Sequence, residues 1–308
     1  MIRLLSALIL LLNVNVYSQD TSYNSEEISI SDHIDGTLLT PKDVKAPVLA
    51  IIIPGSGPTD RDGNQNFLKS NSLKKLAVGL TENAIATFRY DKRIVKQIRR
   101  GKVDDNIMFD DFVTDAKAVI GHFKTSQSYS KIYVIGHSQG SLVGMLASEG
   151  NIDGFISLAG PGLNIGDVII SQVDKTAPMF TEDAKRIVKT LKEGKTTTDY
   201  PQALASIFDS SVQPFMMNWM QYDPVEEIKK LKVPTLIVNG TKDLQITVEE
   251  AKLLHKANAN SKLKIIENMN HVLFEIKGDD LENSKSYNES FRPIMPEVIS
   301  SISEFIKS

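Results

Sequence analysis

Short apolar runs rich in β-branched residues recur along the chain at residues 47–53, 84–90, 131–135, 154–159, 234–239 and 263–266. Runs of this length without polar alternation predict strands buried on both faces of a parallel sheet. Between most of them the apolar residues fall at helical spacing. Phe109, Phe112, Val113, Ala116, Val119, Ile120 and Phe123 form one such face, as do Val298, Ile299, Ile302, Phe305 and Ile306 near the end of the chain. Strand and helix in alternation predict an α/β fold with a mostly parallel, doubly wound sheet. Upstream, residues 27–33 and 36–40 read as two short strands joined by a hairpin turn at Asp35-Gly36.

The alternation is interrupted over residues 161–222. This segment holds helical stretches, a turn at Thr196-Thr197-Thr198 and the Met- and aromatic-rich run Phe215-Met216-Met217-Asn218-Trp219-Met220. A structureless loop of that length is uncommon in a folded domain. The segment therefore predicts an inserted helical cap, set over the carboxyl edge of the sheet where ligands of open α/β sheets bind. The core is then residues 19–160 and 223–308. Met216 and Trp219 are candidates to line an apolar substrate pocket; the competing reading makes them the core of the cap itself.

Composition adds limits. The chain has 308 residues, 41% of them hydrophobic, and a formal charge of −3. That charge gives no general attraction to nucleic acid or anionic membrane, and the pairs Lys92-Arg93 and Arg99-Arg100 read as solvated surface. Arg3, the apolar run 4–12 and the small-residue pattern Val16-Tyr17-Ser18 fit a secretory signal peptide cleaved after Ser18, which predicts a periplasmic or extracellular protein. A buried N-terminal helix is the alternative. The run is shorter than the roughly 20 residues that cross a bilayer, so no membrane span is expected after leader removal. The absence of cysteine excludes thiol nucleophiles, CxxC redox chemistry and thiolate metal sites.

The chemistry concentrates at residues 136–140, Gly-His-Ser-Gln-Gly, a G-x-S-x-G pentapeptide between a predicted strand and a helix-like stretch. A strand turning sharply into a helix lifts the central residue onto a strained apex, so Ser138 is the candidate nucleophile. A serine hydroxyl needs a base, and the base an orienting carboxylate. Of the five histidines only His255 and His271 follow the insertion. His255 has helical, charged neighbours, whereas His271 lies in a polar loop after the last predicted strand. Asp243 follows the strand before it, while Asp223 precedes a helix and reads as its N-cap. The order Ser138, Asp243, His271 is that of a hydrolase triad. An oxyanion would take the amide of Gln139 and a second one from the loop Pro54-Gly55-Ser56-Gly57-Pro58, assigned to Ser56. The charged turn residues 59–64 brace that loop, and Asp91 and Arg93 read as structural. H-E-x-x-H, EF-hand and clustered-histidine patterns are missing, so no metal is expected.

With these residues in place the chain resembles the α/β-hydrolase superfamily, and within it bacterial esterases of the serine aminopeptidase-like hydrolase group. The resemblance rests on residues 53–64, on Phe88-Arg89-Tyr90-Asp91-Lys92-Arg93, on Gly136 to Gly140, on Tyr222-Asp223-Pro224, on residues 233–245 and on Asn270-His271. It implies a cofactor-free serine carboxylic ester hydrolase with nucleophile Ser138, acid Asp243 and base His271. One departure is Ile94-Val95-Lys96, where relatives commonly continue with glycines.

The expected activity is hydrolysis of short- to medium-chain carboxylic esters through an acyl-enzyme, with a small-molecule ester as partner. An exopeptidase of the prolyl aminopeptidase kind is a second reading; it requires an acidic cluster for the substrate ammonium, for which Glu182-Asp183 is the compact candidate. A catalytically silent binding protein on the same fold is a third.

Overall fold

The computed structural model describes residues 22–308; the expected leader and its cleavage site lie outside the described residues. The apolar runs become a single eight-stranded sheet in the order β1-β2-β4-β3-β5-β6-β7-β8. Its strands are β1 (Tyr23–Ser31), β2 (Ile34–Pro41), β3 (Leu49–Ile53), β4 (Ala86–Tyr90), β5 (Ile132–His137), β6 (Gly154–Leu158), β7 (Thr235–Gly240) and β8 (Lys262–Ile266). The first two pair antiparallel, as do β2 and β4, and every later pairing is parallel. Strands β3 to β7 are buried along their full length, which is why their sequences lack polar alternation.

The expected hairpin turn is corrected by the structure. The chain reverses at Asp32-His33, and Asp35 and Gly36 lie inside β2, where Gly36 pairs with Ile28. Gly36 is small for a packing reason, since a Cβ there would sit 2.2 Å from Cζ of Phe88.

Helices cover both faces. On one side lie α1 (Ser72–Glu82) and the final helix, whose inward residues Leu76, Leu80, Val298 and Ile302 are fully buried. The other side carries α3 (Phe109–Ser126) and α4 (Gln139–Ala147), packed through Phe109, Phe123, Leu142 and Val143. Helix α2 (Arg93–Arg99) occupies the stretch that lacks glycines. Val95 is buried within it, and Lys96 pairs with Asp35 at 2.8 Å, so a helix on the flank of β2 replaces a glycine turn.

Between β6 and β7 the chain runs through α5 (Ile165–Thr176), α6 (Thr181–Lys192), α7 (Ala205–Phe208), α8 (Gln213–Trp219) and α9 (Pro224–Lys230). Asp223 caps α9 by accepting from the Val225 amide. Asn164 closes the neck of this excursion, its Nδ2 donating to the carbonyls of Met220 and Tyr222. The returning limb beside this neck rests on α3, where Trp219 stacks on Phe109 and Tyr222 and Asn218 hydrogen-bond Asp110. After β7 follow α10 (Val248–Ala257), α11 (Asp280–Ser286) and α12 (Pro296–Lys307).

Candidate active site

Every candidate side chain sits just beyond the carboxyl end of a parallel strand. At the end of β5, Ser138 has φ 55° and ψ −126°, a backbone state that a non-glycine residue holds only under strain of about 1–3 kcal/mol. The flanking glycines make the turn possible. A Cβ on Gly136 would lie 2.3 Å from the Gly140 carbonyl oxygen, and one on Gly140 would lie 2.4 Å from that of Ile53. The apex is pinned from both sides, with the Ser138 amide donating to the Leu158 carbonyl and the Ser141 amide to that of Ser138.

Asp243 and His271 come from adjacent strands drawn together by close backbone contact. A Cβ on Gly240 would be 2.0 Å from the Met269 carbonyl oxygen. The Lys242 amide donates to that same carbonyl, and the Asn268 amide to Thr241 Oγ1. The result is a 2.8 Å contact between His271 Nδ1 and Asp243 Oδ2, with Asp243 wholly buried. Asp243 Oδ1 accepts the amides of Gln245 and Ile246, which fixes the carboxylate plane. Because the carboxylate accepts, Nδ1 carries the proton and Nε2 is left as an acceptor.

Asn270 shapes the loop that carries the imidazole. Its Oδ1 accepts the amides of Val272 and Phe274, and its Nδ2 donates to Asn283 Oδ1 and Ser286 Oγ on α11. Asn283 Nδ2 in turn donates to the Lys242 carbonyl, so one helix braces both the Asp243 and the His271 loops. His137 adds a further hold. Its Nε2 lies 2.9 Å from the His271 carbonyl, and the two rings are 4.9 Å apart. Burial, reinforced by the neighbouring His271, lowers the His137 pKa to about 4.

The loop after β3 passes within van der Waals contact of the elbow, with an ideal Cβ on Gly55 3.1 Å from that of Ser138. The residues after it brace it as expected. Thr59 Oγ1 and Gln65 Nε2 both donate to the Ser56 carbonyl, and Asp60 gathers the amides of Asp62 and Asn64. Asp91 accepts from Arg61 and Arg99, a structural role. Among the described residues, neither the Ser56 nor the Gln139 amide has a hydrogen-bond acceptor.

The reading of Lys92-Arg93 and Arg99-Arg100 as solvated surface fails for Lys92 and Arg93. Lys92 is buried, its Nζ 2.8 Å from Gln139 Oε1 and 3.1 Å from the Gly55 carbonyl oxygen. Arg93 grips both oxygens of the buried Asp115, and Arg99 reaches the buried Asp91. Arg99 and Arg100 are both exposed, as that reading expects.

Two cavities meet at Ser138. The first is the more polar of the two, lined by Thr59, Gln65, Ser70, Gln245, His271 and Tyr287 beside Leu68 and Val272. The second is mainly apolar, with Gln139 at one end and Leu142, Leu163, Ile165, Val168 and Trp219 around it. Trp219 thus faces the site. Met216, three residues earlier on α8, lines neither cavity and is buried in the hydrophobic core, so its expected place in a substrate pocket is corrected. Glu182 and Asp183 are spent on Lys185 and Arg186 of their own helix. Among the described residues no cluster of three or more His, Asp or Glu side chains could hold a metal ion.

This arrangement has known counterparts. Residues 69–212 match the family described as serine aminopeptidase, S33. The fold follows Est1E from Butyrivibrio proteoclasticus with a TM-score of 0.59 at 19% identity, over 92% of this chain and 99% of that one. Esterase EstD of Thermotoga maritima is 23% identical over 272 residues, 85% of this chain. The chain has the α/β-hydrolase fold. The chain spans 63% of the length of EstD. A shorter stretch of 63 residues, 20% of the chain, is 41% identical to a proline iminopeptidase of Lactobacillus acidophilus.

Sequence reasoning left His137, Lys92, Gln245 and Tyr287 out of the site. His137 occupies a variable position of the pentapeptide, and the other three are brought in by contacts between distant loops.

Proposed function

We propose that this protein is a serine carboxylesterase. The observation that carries the reading is the buried His271–Asp243 pair opening onto the cavity that contains Ser138. In this reading Ser138 Oγ attacks the ester carbonyl while His271 Nε2 takes its proton. The imidazolium, held by Asp243, then donates that proton to the leaving alcohol, and water cleaves the acyl-enzyme by the reverse sequence. The free amides of Gln139 and Ser56 receive the oxyanion.

The two cavities suggest how the ester lies. A leaving alcohol must stand beside the imidazole that protonates it, and His271 lines only the polar cavity. The acyl group then occupies the apolar cavity under Trp219, which suits short- to medium-chain acids. The hydroxyl and amide groups of Gln65, Gln245 and Tyr287 suit a hydroxylated alcohol. An aminopeptidase would hold a substrate ammonium on carboxylates, yet neither cavity includes an Asp or Glu in its lining. We further propose that the chain is exported and acts outside the cytoplasm, on the strength of the leader pattern at residues 1–18.

The test compares nitrophenyl esters of graded chain length with aminoacyl anilides, alongside labelling of Ser138 by a fluorophosphonate. Ester turnover lost with Ser138→Ala, together with labelling of the native serine, is expected. Anilide cleavage faster than ester cleavage, or an unreactive Ser138, would overturn the proposal.

A further inference from the structure

The buried Lys92 is not used by the chemistry above, and its surroundings are unusual for a lysine. Its ammonium stands over the Phe112 ring at 4.0 Å, and among the described residues no carboxylate lies within ion-pairing distance. Asp115 borders the same small void beside Tyr90, Phe112 and Gln139, but both its oxygens are engaged by Arg93. Burying a cation without a counter-ion is costly, and desolvation here lowers the lysine pKa to about 7. A stability requirement alone would favour an apolar residue at this position.

The two hydrogen-bond partners explain what the charge accomplishes. The Gly55 carbonyl belongs to the same peptide unit as the Ser56 amide. The unit is trans, as are all described peptides, so its C=O and N–H point in opposite directions. Gripping the oxygen from the Lys92 side therefore turns the Ser56 N–H away from the lysine. The second partner is the side chain of Gln139, whose own backbone N–H is the other oxyanion donor. One ammonium thus ties together the loop after β3 and the first residue of α4.

We infer that Lys92 is a positioning residue for the oxyanion hole, holding the Ser56 and Gln139 amides at one spacing from behind. Its charge also polarises the Gly55–Ser56 peptide, which strengthens the amide as a donor. The inference rests on the esterase reading, because it concerns the donors that reading assigns. It differs from it in placing the control of their geometry in a residue that never touches substrate.

The experiment compares native protein with Lys92→Met, an unbranched apolar side chain one heavy atom shorter, which removes the charge and the donors. Two quantities are read: kcat and KM on a nitrophenyl ester, and the affinity for phenylboronic acid. The tetrahedral boronate adduct at Ser138 places an oxygen in the oxyanion hole. The expected result is a fall in kcat of about 10²-fold and a parallel loss of boronate affinity, with KM within about threefold of native. Boronate affinity and kcat both close to native, or a change confined to KM, would overturn the inference. Should Lys92→Met not fold, Gln139→Met removes one arm of the clamp and leaves the lysine; a fall of about tenfold in both readouts is expected, and no change overturns the inference. Native protein without ester turnover or serine labelling would instead remove the esterase reading beneath it.

Discussion

The imidazole of His137 donates its Nε2–H to the backbone carbonyl of His271 at 2.9 Å. A carbonyl can only accept, so this contact fixes His137 as the neutral Nε2–H tautomer. The residue before the candidate nucleophile therefore holds the main chain of the candidate base, and the elbow and the loop after β8 cannot separate without breaking that bond.

Burial of this ring makes stability depend on pH. The unfolded chain protonates such a histidine at about 6.5, and the folded chain resists until about 4. Across that window the unfolded state binds more protons, so stability present above pH 6.5 is lost as the pH falls toward 4, by about 3 kcal/mol. Urea midpoints measured from pH 7 to pH 4 are expected to fall less steeply for His137→Gln, which keeps a donor but cannot titrate. Parallel profiles for the two proteins would assign the acid sensitivity elsewhere.

Strain at Ser138 predicts opposite effects on activity and stability. Ser138→Gly frees the positive φ of the apex and is expected to stabilise the fold by about 1 kcal/mol, while ester turnover falls on the order of 10⁴-fold or more. Ser138→Ala is expected to lose the same activity without the gain. Thermal midpoints of the two variants check this; equal midpoints would mean that the backbone at residue 138 is not strained.

Gly240 lies where the Asp243 and His271 loops touch. A methyl group there meets the Met269 carbonyl, and relief requires those loops to part. Gly240→Ala is expected to cost about 1–3 kcal/mol and to reduce kcat more than KM rises. Steady-state kinetics beside denaturant titration would show it, and unaltered kcat would mean that the dyad tolerates the displacement.

Trp219 lines the apolar cavity from α8. Trp219→Ala is expected to raise kcat/KM for longer acyl chains relative to acetate by about tenfold and to leave the preference among leaving alcohols unchanged. A shift in alcohol preference instead would reverse the assignment of the two cavities.

Much of this was legible in the chain because the residues that matter follow strands. Asp243 and His271 could be chosen by position after β7 and β8, and they meet at 2.8 Å. What the sequence concealed depends on contacts across the fold. Gly36 looks like a turn residue, yet it is small to admit Phe88. Lys92 and Arg93 look like a surface pair until Gln139, Gly55 and Asp115 are seen around them. Met216 and Trp219 share one stripe of α8, and only the packing of that helix on α3 decides which of them reaches the cavity.

The clasp made by Asn164 on Met220 and Tyr222 has a wider consequence. Because entry and exit of the helical excursion are fastened at one point, what lies beyond the knot can lengthen, shorten or be swapped while the frame beneath keeps its dimensions. Natural variation can then retune which molecules are admitted with little effect on the machinery that cleaves them.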